Sequence, residues 1–334
     1  MKRLLAVLAA LMLLSSGCAE RRGTHTETRY EYFDTFVTVT AADMTDAEFR
    51  AAADAVWDEL SRLHRLFDRY HDYAGVNNLK TVNDMAGVSP VAAAPELIDL
   101  VACSVELYAE TDGLLNVMLG SVLSLWHDAR ERALADPGAA ELPDDEALRE
   151  AAAHTDISLV NIDREAATLF ITDGDASLDL GAVAKGYAAE AVAKRLRELG
   201  FDNVLLNLGG NICAVGDKAG QPWTLGIQSP AGDGYAARVP LSSGSLVTSG
   251  SYQRYFTVDG RDYHHIIDPR TNYPAEGFSS VTVMATDSTL ADALSTALFS
   301  MTEAEGRALA ARLGVSVWWI YPDGTLVSTL NGTK

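Results

Sequence analysis

The segment from Asp287 to Leu298 sets a carboxylate, Asp292, four residues ahead of a hydroxyl, Thr296. On a helix the two side chains share one face. Together they offer hard oxygen ligands of the kind Mg²⁺ takes. Leu290, Leu294 and Leu298 stand at neighbouring positions and are expected to pack inward. On spacing alone the metal reading is weak, because an Asp and a Thr so placed commonly do no more than face water.

A second segment, Leu178-Asp179-Leu180-Gly181-Ala182-Val183-Ala184-Lys185-Gly186-Tyr187, reads as a strand end, a small-residue turn and a helix start. Backbone N–H groups at a helix N-terminus attract anions. Lys185 sits in the first turn, where a cation opposes the helix dipole. A phosphate to meet would explain it; a plain surface lysine is the alternative. A third segment, Leu205-Leu-Asn207-Leu-Gly209-Gly210-Asn211, lacks the helix and the lysine of a phosphate loop. A tight turn between strands fits it better, with glycines that let a ligand approach. The fourth, His264-His265-Ile266-Ile267-Asp268-Pro269-Arg270, follows Val247-Thr-Ser-Gly-Ser-Tyr-Gln-Arg254. Neighbours on a strand point to opposite faces, so the two histidines cannot easily share a metal. One of them is a candidate base, and a strand-end histidine satisfied by its neighbours is the alternative. No His-Glu-x-x-His pattern occurs, which speaks against a zinc protease.

These residues need elements to hold them. Thr45 to Glu48 forms a capping box. Behind it Phe49, Val56, Leu60, Leu63 and Phe67 recur at helical spacing, predicting a helix from about Asp46 to Asp68. A second helix starts near Pro95, buries Leu97, Leu100, Val101 and Leu107, and stops before Gly113. Residues 136–145 read as a surface loop, followed by a short helix and strands near 157–163 and 168–172. Helices are predicted over 183–199, 287–301 and 302–314, the last behind another capping box. A strand is predicted over 30–40, mostly β structure over 203–283, and a closing hairpin over 315–329. Helices and strands do not alternate, so an α+β fold is expected and not a doubly wound sheet.

The chain has 334 residues, 48% of them hydrophobic, and a net charge of −20. That length supports a large core or two packed lobes. So acidic a surface speaks against nucleic acid as a partner, since Lys and Arg must displace phosphate counterions. An anionic substrate would then need a local countercharge. At the N-terminus Lys2 and Arg3 precede the apolar run Leu4 to Leu14, a secretory-signal pattern. The run is shorter than the roughly 20 residues that span a bilayer. Leu14-Ser15-Ser16-Gly17-Cys18 resembles a lipobox, with Ser15 where Leu, Val or Ile is usual. Residues 1–17 are read as a signal peptide, 18–28 as a lipidated Cys18 and polar tether, and 29–330 as the folded domain. Simple secretion is the alternative. Cys103 and Cys213 read as buried free thiols, with a disulfide as the alternative in an exported protein.

The motifs D-L-G-A-V-A-K-G-Y, N-L-G-G-N, S-G-S-Y-x-R, H-I-I-D-P-R-T and A-D-A-L-S-T-A-L, in this order, resemble the ApbE family of FAD:protein FMN transferases. The likeness runs from about Tyr30 to Val327. It implies a mixed helix and sheet fold of two intimately packed lobes around a flavin cleft. It implies Mg²⁺ held by Asp292, Thr296 and the Ala182 carbonyl. It further implies FAD contacts from Phe33, Tyr70, Leu114, Leu115, Asn116, Asp179, Lys185 and the Ile266 backbone. Members are commonly bacterial lipoproteins, which agrees with a lipid anchor on Cys18 and a place on the periplasmic or extracytoplasmic face of a membrane. The chain departs from the family pattern at Phe33-Asp34-Thr35, where many members have Met-Gly-Thr. It departs also at Asn116, where many have Asp, and at Asn272, usually Gly.

The reaction so implied is phosphoryl transfer. A Ser or Thr hydroxyl of an acceptor protein, a membrane redox subunit in this family, attacks the FMN-side phosphate of FAD and AMP leaves. Mg²⁺ and Lys185 would neutralise the pyrophosphate. His265 is the candidate to accept the hydroxyl proton, with Asp268 to orient it. Two alternatives use the same site: a Mg²⁺-dependent FAD pyrophosphatase, and an FAD-binding lipoprotein without chemistry.

Overall fold

The computed structural model describes residues 21–232 and 234–330, so the signal-peptide and Cys18 readings fall outside the described residues. Eight strands form the main sheet: β1 (Gly23–Tyr32), β2 (Thr35–Met44), β3 (Asn203–Leu208), β4 (Asn211–Gly216), β5 (Gly244–Gly250), β6 (Ser280–Ala285), β7 (Ser316–Ile320) and β8 (Leu326–Ser328). They lie side by side in that order, each antiparallel to the next. The helices are α1 (Asp46–Phe67), α2 (Leu79–Asp84), α3 (Pro95–Glu110), α4 (Gly120–Ala135), α5 (Asp145–Ala152), α6 (Ala184–Glu198), α7 (Ser288–Ala297) and α8 (Glu303–Leu313). The result is the expected α+β architecture.

Alternation along the strands sorts side chains to two faces. Val39 of β2, Leu206 of β3, Val247 of β5 and Val283 of β6 join Leu60 of α1, Val192 of α6 and Leu294 of α7 in the larger core. On the opposite face the hairpin Trp223–Gln228 and Tyr235–Leu241 covers the sheet. There Trp223, Leu225, Ile227 and Val239 pack on Ala214, Leu246, Trp318 and Ile320. Full burial of each large aliphatic side chain contributes about 1.5–3 kcal/mol. The chain leaves the sheet for its longest excursion between β2 and β3, which carries α1 to α6. A shorter excursion between β5 and β6 carries the hairpin Tyr255–Val258 and Arg261–His264. Trp126 of α4 packs against Phe256, Tyr263 and Tyr273 and so ties the two excursions together.

The helices follow their end signals. Thr45 and Glu48 close the capping box of α1, Thr302 and Glu305 that of α8, and Gly314 ends α8 at φ 68°. Three expectations need correction. The strand expected over 30–40 is the meeting of two strands, joined by a tight turn at Phe33 and Asp34. The tether reading of 18–28 fails from Gly23 onward, because Gly23 to Thr28 belong to β1. Threonine hydroxyls pair across β1 and β2, Thr26 with Thr40 at 3.1 Å and Thr28 with Thr38 at 2.9 Å. And α4 went unread: of its buried stripe Val122, Trp126, Ala129 and Ala133, two members are small alanines. Cys103 and Cys213 are both free. Burial pushes each thiol up to about 11, which keeps them unreactive. Among the described residues no helix is long and apolar enough to cross a membrane.

Candidate active site

A cleft of about 1320 Å³ lies where the β1–β2 turn, the loop after α1, α4, the turn before α6, the end of β5, the Tyr255–His264 hairpin and α7 converge. Phe33, Tyr70, Leu114, Leu115, Asn116, Asp179, Ala182, Lys185, His265, Ile266, Asp292 and Thr296 all line it. Of the residues predicted for the site, Asp268 alone is not on the wall.

The corner at α6 and α7 is built by a close helix approach. A Cβ on Gly186 would overlap the Ser288 carbonyl and reach 2.6 Å from Asp292 Cβ, so only glycine lets the two helices meet. The Gly186 N–H would bond the Ala182 carbonyl in a regular helix. It donates instead to Asp292 Oδ2 at 2.8 Å. The Ala182 carbonyl thus lacks its regular helical partner, and Ala182 lines the cleft together with the half-buried Thr296. Lys185 Nζ stands 3.5 Å from Asp292 Oδ1 and donates to the Gly181 carbonyl at 3.4 Å. Asp292 itself is 3% exposed. Burial pushes its carboxyl above the usual range; Lys185, the Gly186 N–H and the neighbouring Asn211 amide pull the other way without prevailing. Asn211, fully buried, accepts from Ser288 Oγ through Oδ1 at 3.0 Å, while its Nδ2 has no hydrogen-bond partner. The Asp292 carboxylate, the Ala182 carbonyl and the Thr296 hydroxyl offer only oxygen donors, and a set of that chemistry fits a hard divalent cation.

The two histidines differ in how their ring nitrogens are partnered. His264 is the satisfied one: Nε2 contacts the Ala275 carbonyl at 2.9 Å and Nδ1 accepts from the Ile266 N–H at 3.2 Å. His265 keeps an exposed ring in the cleft, with Nδ1 on the Arg254 carbonyl at 3.2 Å. That contact assigns the proton to Nδ1 and leaves Nε2 as an acceptor. The surrounding cleft walls and the charge of Arg254 lower its pKa, against the bond to the Arg254 carbonyl, which favours the charged ring. The neutral ring is therefore the resting form near neutral pH. Asp268 does not orient it. Its carboxylate is taken by Arg270, Nη2 at 2.7 Å and Nε at 3.0 Å, and it also accepts the Arg270 N–H. The Pro269 turn folds the Asp268 carboxylate back onto its own loop.

Elsewhere on the wall several residues expected to contact the ligand are themselves held by protein groups. Asp179 pairs with Arg69 and accepts the Gly181 N–H at 2.8 Å. Burial opposes the Arg69 charge, and Asp179 outweighs that, holding the guanidinium above its usual pKa. Asn116 donates to the Thr155 carbonyl and accepts from the Met118 N–H, both at 2.9 Å, so its amide is spent on the turn. The Ile266 carbonyl accepts from Ala275 at 2.9 Å. Tyr70 stacks on His127 with ring centroids 5.2 Å apart. Sequence reasoning missed Arg69, His64 and Ser249, all on the wall. Asn211 stood in a noted motif without a role. Outside the wall, His154, Asp173 and Asp175 bring potential ligand atoms within 4.8 Å of one another. There His154 Nδ1 and Asp173 Oδ2 already pair at 2.7 Å, and this surface ion pair accounts for the cluster.

Residues 33–319 match the ApbE family. The chain is 34% identical over 248 residues to an FAD:protein FMN transferase of Klebsiella pneumoniae, covering 72% of this chain and 75% of that one. It is 34% identical over 295 residues to an FAD:protein FMN transferase of Treponema pallidum, covering 83% and 79%. Its fold is similar to the crystal structure of the ApbE protein from Thermotoga maritima, with a TM-score of 0.80 and 30% identity over 91% of this chain and 96% of that one. Sequence and fold agree over most of the length, and this chain belongs to the ApbE family.

Proposed function

We propose that this protein transfers FMN from FAD to a Ser or Thr hydroxyl of an acceptor protein and releases AMP, with Mg²⁺ at the Asp292 corner. Flavin transfer to protein as the reaction class is supported by the relatives of that name. The observation that carries the site is the diverted Gly186 N–H. It holds a buried carboxylate in place and releases the Ala182 carbonyl from its helical partner.

Asp292, Thr296 and the Ala182 carbonyl would hold the cation, which when bound draws charge from the pyrophosphate oxygens. Lys185, tethered only by contacts of 3.4 and 3.5 Å, is free to turn to a phosphate oxygen at the α6 N-terminus. Phe33 and Tyr70 offer aromatic faces to the flavin ring. His265, neutral and with Nε2 open, takes the acceptor's hydroxyl proton. The acceptor oxygen then bonds to the FMN-side phosphorus as the bond to the AMP oxygen breaks. The lipobox-like segment before Cys18 supports a lipid anchor on the periplasmic or extracytoplasmic face of a membrane, where a membrane redox subunit is the acceptor class. A Cys18→Ser protein still held in the membrane fraction would remove the anchor from this reading.

The deciding experiment is mass spectrometry of an acceptor protein after incubation with this protein, FAD and Mg²⁺. The expected product is the acceptor plus one FMN less one water. Full-rate AMP release with no acceptor present would make the protein a pyrophosphatase. Flavin binding without AMP release under either condition would make it a carrier.

A further inference from the structure

Phe33 and Tyr70 reach the cleft from different elements, the β1–β2 turn and the loop after α1. Apolar packing alone does not fix either one. Phe33 and Asp34 hold φ values of 54° and 51°. A bulky residue there is unusual, and such strain persists only where neighbours over-determine it. Tyr70 is 47% exposed.

Both are pinned by one polar chain. The Phe33 N–H donates to His64 Nδ1 at 3.2 Å. Since Nδ1 accepts, the ring proton belongs on Nε2, which faces the Tyr73 hydroxyl oxygen at 3.4 Å. The Tyr73 hydroxyl donates to Asp68 Oδ2 at 2.8 Å. Asp68 Oδ1 accepts the Tyr70 N–H at 2.7 Å and the His71 N–H at 3.2 Å. Every donor along this path finds its acceptor only while the imidazole is neutral.

We infer that His64 is a positioning residue for flavin binding: its neutral ring holds the Phe33 turn and, through Tyr73 and Asp68, the Tyr70 loop in the arrangement that receives the flavin ring. This rests on the flavin reading of the cleft. An apolar side chain could fill the same space against Tyr32, Phe33 and Tyr73, but it could not accept the Phe33 N–H.

Burial lowers the His64 pKa below its ordinary 6.5. Asp68 and Asp34 favour the charged ring; His71 and Arg65 oppose it. The sign follows from this balance. The native ring binds fewer protons than a free imidazole, so the anchor is complete above the ordinary value and is lost as pH falls below it. A proton on Nδ1 leaves the Phe33 N–H facing another donor.

The test measures FAD affinity by flavin fluorescence for the full chain with Mg²⁺, from about pH 8 to about pH 5. Three proteins are compared: wild type, His64→Leu and His64→Asn. The Asn carbonyl can accept the Phe33 N–H and does not titrate. Wild type should weaken about tenfold across the acid range, and His64→Leu should bind about tenfold more weakly already at neutral pH, each a loss of about 1.4 kcal/mol. His64→Asn should bind nearly as wild type does and lose the acid weakening. At saturating FAD, kcat of the variants should stay within about twofold, because uniform binding alone is removed. Wild-type affinity in His64→Leu, or an unchanged acid limb in His64→Asn, overturns the inference. Should His64→Leu fail to fold, the acid limb of His64→Asn decides. A wild-type protein that binds no FAD at any pH removes the flavin reading itself, and the inference with it.

Discussion

A carboxylate buried as deeply as Asp292 is unfavourable unless something compensates its charge. One N–H and one ammonium at 3.5 Å supply part of that compensation. Asp292→Ala should abolish Mg²⁺-dependent AMP release while far-UV circular dichroism stays native. Stripping Gly186 of its acceptor should lower unfolding free energy in urea by about 1–3 kcal/mol. Mg²⁺-dependent release that survives the change would refute the metal placement. Titration of His265 bears on the rate. As a base it must be neutral, and its lowered pKa keeps it so to pH values below the ordinary 6.5. Transfer should therefore fall only on the acid side of that value. His265→Asn should slow transfer by about 10²–10⁴-fold with FAD affinity nearly unchanged; a normal transfer rate would sink the role. Spacing singled out Asp292 with Thr296, and the adjacent histidine pair singled out His265 as a candidate base. Arg69 was not legible, because its partner Asp179 stands 110 residues away in sequence.

At the scale of elements, capping and stop signals were the most readable features. Both capping boxes predicted from Thr45 and Thr302 form, since the bonds involved lie within four residues. The β1–β2 turn was not legible. A two-residue turn with both φ values positive is usually signalled by Asn-Gly or Asp-Gly, and here Phe33-Asp34 fills it under tertiary restraint from His64 and from Arg254, which donates to the Asp34 carbonyl at 2.8 Å. The meeting of α6 and α7 was legible only as a glycine among small residues. Gly186→Ala should drive those helices apart. Overpacking of this kind costs about 1–3 kcal/mol, readable as a lower urea midpoint, and the Mg²⁺ dependence of AMP release should be lost with it. A variant with wild-type stability and Mg²⁺ response would show that the close approach is not required.

Across the whole molecule, the strands that run in order through the sheet are separated in sequence by excursions of very different length. Short-range pattern sets each strand and helix, because alternation, helical spacing and caps are local. It therefore determined the α+β class, most element positions, and the reading of Asp292, Thr296 and Lys185 as groups able to meet a cation and a phosphate. Tertiary structure decided the rest. It freed the Ala182 carbonyl by diverting the Gly186 N–H, gave Asp268 to Arg270 and not to His265, and spent Asn116 on its own turn. It also joined Phe33 to Tyr70 through His64. Each of these depends on which polar group lies nearest once distant segments are packed. Sequence fixes which donors and acceptors exist, and burial forces each of them to find a partner; the choice among partners is made only in three dimensions.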